Sequence, residues 1–164
     1  MDNVLPSVLG ITVLLLSSLM LGRSGFASFR VLSDSWRNAE QQSVERLHSV
    51  ISITSANRTA GDVDVMIQNS GATPVIDFSK VDVVVQYDSG GISYAKYISF
   101  TSAVPQPDDT WSVVSIVNDV VDPRVLNTGE SMTIRLQLNP APDTVSNWLQ
   151  VTTEQGVSAS ASFN

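Results

Sequence analysis

The sequence predicts an α+β protein, with one long N-terminal α-helix followed by an all-β antiparallel sandwich of seven to eight strands. Three observations carry this reading. An uncharged apolar run, Asn3–Gly22, opens the chain. Apolar residues then recur at spacings of three and four until about residue 48. From about Ser49 the rhythm changes to strict alternation, broken by Gly, Asn, Asp and Pro.

The apolar run reads "NVLPSVLGITVLLLSSLMLG". A helix rises about 1.5 Å per residue, so twenty residues span about 30 Å, the thickness of a bilayer core. Its large side chains are Val4, Leu5, Val8, Ile11, Leu14, Leu15, Leu16, Leu19 and Leu21. Pro6 falls in the first turn, where its missing N–H costs little. Small residues (Ser7, Gly10, Ser17, Ser18, Gly22) would let other helices approach closely. A cleaved secretory signal needs a basic start and a shorter apolar core. Here Asp2 precedes the run, and the helical pattern continues beyond it.

The continuation, "RSGFASFRVLSDSWRNAEQQSVERLHSV", places Phe26, Phe29, Leu32 and Trp36, then Val44, Leu47 and Ile51, on one helical face. Arg23, Arg30 and Arg37 recur every seven residues on another. One helix over residues 1–48 is therefore predicted, apolar all round in its first half and amphipathic in its second. All the basic flanking charge lies C-terminal to the run. The positive-inside rule would then leave the β region in the cytoplasm, unless a basic leader ahead of Met1 has been removed, which is the alternative we expect.

Residues 49–164 read as the sandwich. "SVISITSA" and "GDVDVMIQNSG" alternate, the second setting Val63, Val65 and Ile67 against Asp62, Asp64 and Met66. "KVDVVVQYDSGG" and "ISYAKYISF" form a hairpin across Asp88–Gly91. "TWSVVSIV" is a further strand, and "NTGESMTIRLQL" a turn and a strand with Met132, Ile134, Leu136 and Leu138 inward. "NWLQVTTEQGVSASASF" closes the domain as a hairpin turning at Gln155-Gly156. Short strands at this spacing, over roughly 110 residues, suit an immunoglobulin-like sandwich.

Composition narrows the function. The net charge of −7 arises after residue 49, where five Lys/Arg face twelve Asp/Glu. Such a domain repels phosphate backbones, which argues against nucleic acid as a partner. Without cysteine there are no disulfides, thiolate metal sites or thiol nucleophiles. The single histidine, His48, sits on the predicted helix and reads as a half-exposed surface residue. Asp62/Asp64, Asp108/Asp109 and Asp119/Asp122 read as solvated acidic surface, because no ligand loop of the calcium-binding kind surrounds them. With acid–base groups so scarce, no catalytic residue, metal or cofactor is expected, and the chain is not read as an enzyme. Trp111 and Trp148 are expected in the core. "NRT" at Asn57 is an N-glycosylation sequon in a predicted exposed turn.

Two stretches, "VDVMIQNSGATPVIDFSKVDVVV" and "LNTGESMTIRLQL", together with the order of apolar helix, amphipathic extension and sandwich, resemble the archaellins, the archaeal flagellins of the type IV filament superfamily. Leu5 stands where bacterial type IV pilins carry a Glu, and archaellins do not need that residue. The resemblance implies an extracellular homo-oligomeric filament built on the helices, with the sandwiches outside. It also implies a membrane-inserted subunit before assembly, a leader peptidase and an assembly platform. Val4, Leu5, Val8, Ile11, Leu14, Leu15, Leu16, Leu19, Leu21, Phe26, Phe29, Leu32 and Trp36 would then line the filament core. The competing readings are a membrane-anchored accessory protein of the same machinery and an anchored immunoglobulin-like binding module.

Overall fold

The computed structural model describes the backbone of residues 4–59, 61–119, 122–144 and 147–164, and within the helix the side chains of residues 10–18, 32–41, 43, 44 and 46–48. Among the described residues one long helix, α1, spans Val4–His48 of the expected 1–48, and residues 1–3 lie outside the described residues. It is 45 residues long, about 70 Å at the usual rise. Ser17 does not interrupt it, because its hydroxyl donates to the Val13 carbonyl at 2.8 Å and is satisfied within the helix.

Among the described residues eight strands follow: β1 Ile51–Thr59, β2 Asp62–Asn69, β3 Asp82–Ser89, β4 Ile92–Phe100, β5 Thr110–Val117, β6 Ser131–Gln137, β7 Asn147–Thr152 and β8 Ser158–Phe163. They pair in the order β1-β2-β6-β5-β4-β3-β7-β8. The two end strands, β1 and β8, lie beside each other without a ladder, so the sheet is nearly closed on itself. Near-closure hides most of the backbone donors and acceptors that open edges expose.

The alternation read from the sequence decides which residues form the core. Val63, Val65 and Ile67 of β2 face Met132, Ile134 and Leu136 of β6 across the ladder, and all six are buried. Val83 and Val85 of β3 and Leu149 and Val151 of β7 form the matching layer. Trp111 is fully buried against Phe100, with ring centroids 4.9 Å apart. Trp148 departs from expectation. It faces outward on β7, 37% exposed, because its neighbours Asn147 and Leu149 take the inward positions.

Among the described residues every ladder is antiparallel except one, which corrects the all-antiparallel expectation. β4 and β5 run parallel where Ser99 meets Thr110 and Phe100 meets Trp111. The reason lies in the loop 101–109, which carries the chain back to restart in the same direction, anchored by the Thr101 N–H on the Trp111 carbonyl at 2.8 Å. This contact joins two four-stranded halves, β1-β2-β6-β5 and β4-β3-β7-β8, into one sheet.

The β3–β4 hairpin closes over Gly90 and Gly91, with φ of 60° and 78°. Two successive left-handed residues match the right-handed twist of the flanking strands. A Cβ at Gly90 would meet nothing within 4 Å, so only backbone strain opposes one. Gly90→Ala should therefore lower stability by about 1 kcal/mol without altering the fold, as measured by urea unfolding.

The chain divides into two compact units, 1–43 and 44–164. The last turn of α1 thus groups with the strands.

Candidate assembly surface and helix joint

The described apolar side chains of α1 are uncovered. Ile11, Val13, Leu15 and Leu16 are exposed, and Leu14 is 72% exposed. Among the predicted filament-core residues, Leu32 and Trp36 are exposed as well. Val4, Leu5, Val8, Leu19, Leu21, Phe26 and Phe29 lie outside the described side chains. Among the described residues no helix is long and apolar enough to cross a membrane. Within the twenty-residue apolar run that description covers only Gly10–Ser18. A row of bare leucines is costly in water, since burying one side chain is worth roughly 1.5–3 kcal/mol. An apolar surface of this kind requires lipid or other helices around it.

The second feature is where α1 enters the strand domain. A helix end leaves its last carbonyls without intrahelical partners. Here the turn after β2 supplies a donor to the last of them and to the residue that links α1 to β1. The Ala72 N–H donates to the His48 carbonyl at 2.7 Å, and the Ser70 and Gly71 N–H groups donate to the Val50 carbonyl at 2.9 and 3.0 Å. The approach is so close that a Cβ on Gly71 would lie 2.3 Å from the Val50 nitrogen and 2.5 Å from the His48 oxygen.

Asn69 holds this turn in shape. It is fully buried, and its side chain is satisfied on both sides. Its Oδ1 accepts from the Gly71 N–H at 3.0 Å, and its Nδ2 donates to the carbonyls of Thr73 and Leu126 at 2.9 and 3.0 Å. Its backbone exchanges bonds with the turn before β6, donating to the Glu130 carbonyl at 3.0 Å and accepting from the Gly129 N–H at 2.7 Å. Glu130 is buried too, and its Oε2 accepts from the Asn127 N–H at 2.8 Å. A short bridge between Val75 and Leu126 completes the lacing. On the far side, the Arg46 guanidinium donates to the Gly156 carbonyl in the β7–β8 turn at 3.3 Å.

The two stretches that carried the family resemblance thus meet at one place, where the second braces the turn of the first and that turn bonds the end of α1. Reading the sequence singled out both turns but gave Asn69, Gly71 and Glu130 no role. The available signal was an Asn and a Gly two apart at the end of an alternating strand, which is the pattern of a side chain closing its own turn.

Other predicted features lie apart from this joint. Asn57 is exposed, but it sits within β1 opposite Asp64, which corrects the expected turn. Strand β1 runs two residues past it because β2 offers partners as far as Asp62. His48 is an exposed residue of the last helical turn. Asp64 is held by Arg135 through two bonds of 2.7 and 2.9 Å. Asp109 accepts from Lys96 at 2.6 Å and from the Asn139 N–H at 3.1 Å, and the Asn139 amide donates to Asp108 at 2.8 Å. Asp119 accepts the Arg124 N–H. Among the described residues no three His or carboxylate side chains converge on a metal position.

Partial burial opposes the charged form of Lys96, yet the Asp109 carboxylate and the Tyr87 hydroxyl together more than offset it, and the ammonium titrates above its ordinary range. Tyr97 donates to Asp82 at 3.0 Å, and this bond raises its pKa. In both groups the folded state favours the protonated form. The stability they contribute is present below their ordinary values and is lost as pH rises through the raised ones. Raising pH from about 9 to about 11.5 should therefore lower the Tm, and the Lys96→Met/Tyr97→Phe double variant should lose less over the same range.

The sequence model of the archaeal-type flagellin family matches residues 16–163. No curated protein sequence matches the chain. Among solved structures, the archaellum periplasmic stator protein FlaG from Sulfolobus acidocaldarius is similar at 21% identity and a TM-score of 0.49, over 70% of this chain and 99% of that one. The FlaF–FlaG stator complex from the same organism is similar at 20% identity and a TM-score of 0.50, over 69% and 87%. The archaeal flagellin FlaB1 from Methanocaldococcus jannaschii is similar at 13% identity and a TM-score of 0.48, over 70% and 88%. At these identities the likeness is one of fold.

Proposed function

Because this chain belongs to the archaeal-type flagellin family, we propose that it is a structural subunit of an extracellular helical filament of the archaellum or type IV pilus type, serving motility or adhesion. The observation that carries the proposal is the uncovered apolar surface of α1, with Leu14 and Trp36 each more than two-thirds exposed in the single chain. Many identical copies packed helix to helix would bury that surface. The monomer waits in the membrane, where lipid covers the same side chains. A leader peptidase and an assembly platform act on it there, as the family implies. No catalytic role or cofactor belongs to this reading.

On this reading the strand domain is an immunoglobulin-like outer domain. The pairing of β1-β2-β6-β5 and β4-β3-β7-β8 supports that description. Asn57, exposed on β1, is then a glycan acceptor on the outside of the filament.

The test is to shear cells gently, sediment the released material, and examine it by negative-stain electron microscopy with mass spectrometry. Thin filaments composed of this chain are the expected result. Retention with the membranes, and no filament containing the chain, would replace the reading with that of an anchored accessory protein of the same machinery.

A further inference from the structure

Every second residue of a strand points to the outer face, and the register of β4, β3, β7 and β8 makes those residues neighbours. Tyr97 of β4 stands opposite Val84 of β3, Val84 opposite Gln150 of β7, and Gln150 opposite Ser160 of β8. One step along the strands, Gln86 stands opposite Trp148, and Trp148 opposite Ser162. Tyr97 is 59% exposed, and Val84 and Trp148 are exposed as well. An indole on a solvated sheet face forgoes a large gain from burial, so folding alone does not account for Trp148 there. Exposed apolar groups gathered within a polar rim mark a recognition surface.

The chemistry of this face narrows what it takes. Asp82, which accepts from the Tyr97 hydroxyl, stands at one end of it and Asp88 at the other. Lys96 is the only basic residue of the four strands. It lies opposite buried Val85, on the inner side, and is bonded to Asp109. Among the described residues of these strands no cation faces outward, and the two carboxylates repel a polyanion. The rings are interleaved with the amides of Gln86 and Gln150 and the hydroxyls of Ser160 and Ser162 rather than joined into a broad aliphatic patch. Each amide brings two donors and an acceptor, and each hydroxyl both kinds of group. With strands about 4.8 Å apart and residues two apart on a strand about 6.7 Å apart, the backbones of Tyr97 and Trp148 are separated by about 12 Å. A sugar chain matches this pattern: its C–H faces cover aromatic rings, while its hydroxyls need donors and acceptors alongside.

We propose that the outer face of β4-β3-β7-β8 binds a neutral polysaccharide. Its sugar rings stack on Trp148 and Tyr97, and their hydroxyls bond to Gln86 and Gln150. The face is flat and open, so it takes a length of chain rather than a single enclosed sugar. The proposal goes beyond the filament reading and needs only the folded strand domain.

The test mixes the full-length chain, held in a polyoxyethylene detergent without a sugar headgroup, with cellulose, chitin or insoluble mannan, and sediments each matrix. The chain is expected to sediment with at least one of the three. Added salt should not release it, because no ion pair holds it, whereas a soluble oligosaccharide of the same sugar should. Trp148→Ala should weaken binding at least about tenfold, and Trp148→Phe, which keeps a ring, should bind within about threefold of wild type. The melting transition of the β-sheet signal is recorded for each variant. If Trp148→Ala does not fold, Gln86→Ala reads the same face, with an expected loss of about threefold. Absence of sedimentation with all three matrices, wild-type binding by a folded Trp148→Ala or Gln86→Ala, or release by salt would overturn the proposal. The assay reads the unassembled chain, so failure of the filament reading leaves it intact. Filaments from wild-type cells without polysaccharide binding would remove this inference alone.

Discussion

Leu15→Arg is expected to abolish filament assembly while leaving the strand domain folded. Leu15 lies in the apolar half of α1, and its side chain is 61% exposed in the single chain. It contributes nothing to the core built by β2, β3, β6 and β7. Its stabilising role begins when lipid or other helices surround it. A guanidinium there costs about 2.5–3.5 kcal/mol in a bilayer centre. Among packed helices it becomes an unpaired buried charge. Each subunit in a polymer repeats that cost, so a modest local penalty becomes an all-or-none defect. The measurement is paired: the melting transition of the β-sheet signal by circular dichroism, and filament counts by negative stain in material of equal expression. Normal filaments from the variant would refute the role given to this surface.

Gly71→Ala should act on the other half of the molecule. The added methyl would meet backbone atoms at 2.3 and 2.5 Å, and neither atom can rotate away as a side-chain end could. Relief requires the turn 69–72 to withdraw from the end of α1, which breaks the bonds onto the His48 and Val50 carbonyls. Overpacking of this kind costs typically 1–3 kcal/mol, and the lost bonds add to it. The strand domain should lose about 2–3 kcal/mol, read as a lower urea midpoint with an unchanged slope. Hydrogen exchange should quicken first at Ser70, Gly71 and Ala72, whose amides are donors at the joint. An unchanged midpoint would mean that the joint is looser than its geometry implies.

These two positions also show where sequence reading succeeds and where it stops. Leu15 needed no structure, because a twenty-residue run without charge can be satisfied only by an apolar surrounding. Gly71 looked like an ordinary turn residue. Its importance comes from His48 and Val50, more than twenty residues earlier, and no local pattern records that approach. Asn69 is similar: a polar residue at the end of a strand reads as solvent-facing, yet it is fully buried, with its partners as far away as Leu126.

The sequence by itself determined a long helix ending at about residue 48, a succession of seven to eight short strands, and which side chains of β2 and β6 face inward. Those features follow from local periodicity, which the backbone must obey wherever the segment lies. Only the tertiary structure decided the order of the strands, the parallel step from β4 to β5, the outward turn of Trp148, the placing of Asn57 on a strand, and the grip of two distant turns on the end of α1. These depend on which carbonyls and amides find one another across long stretches of chain. Alternation along a strand specifies the face that is buried but not the neighbour that buries it.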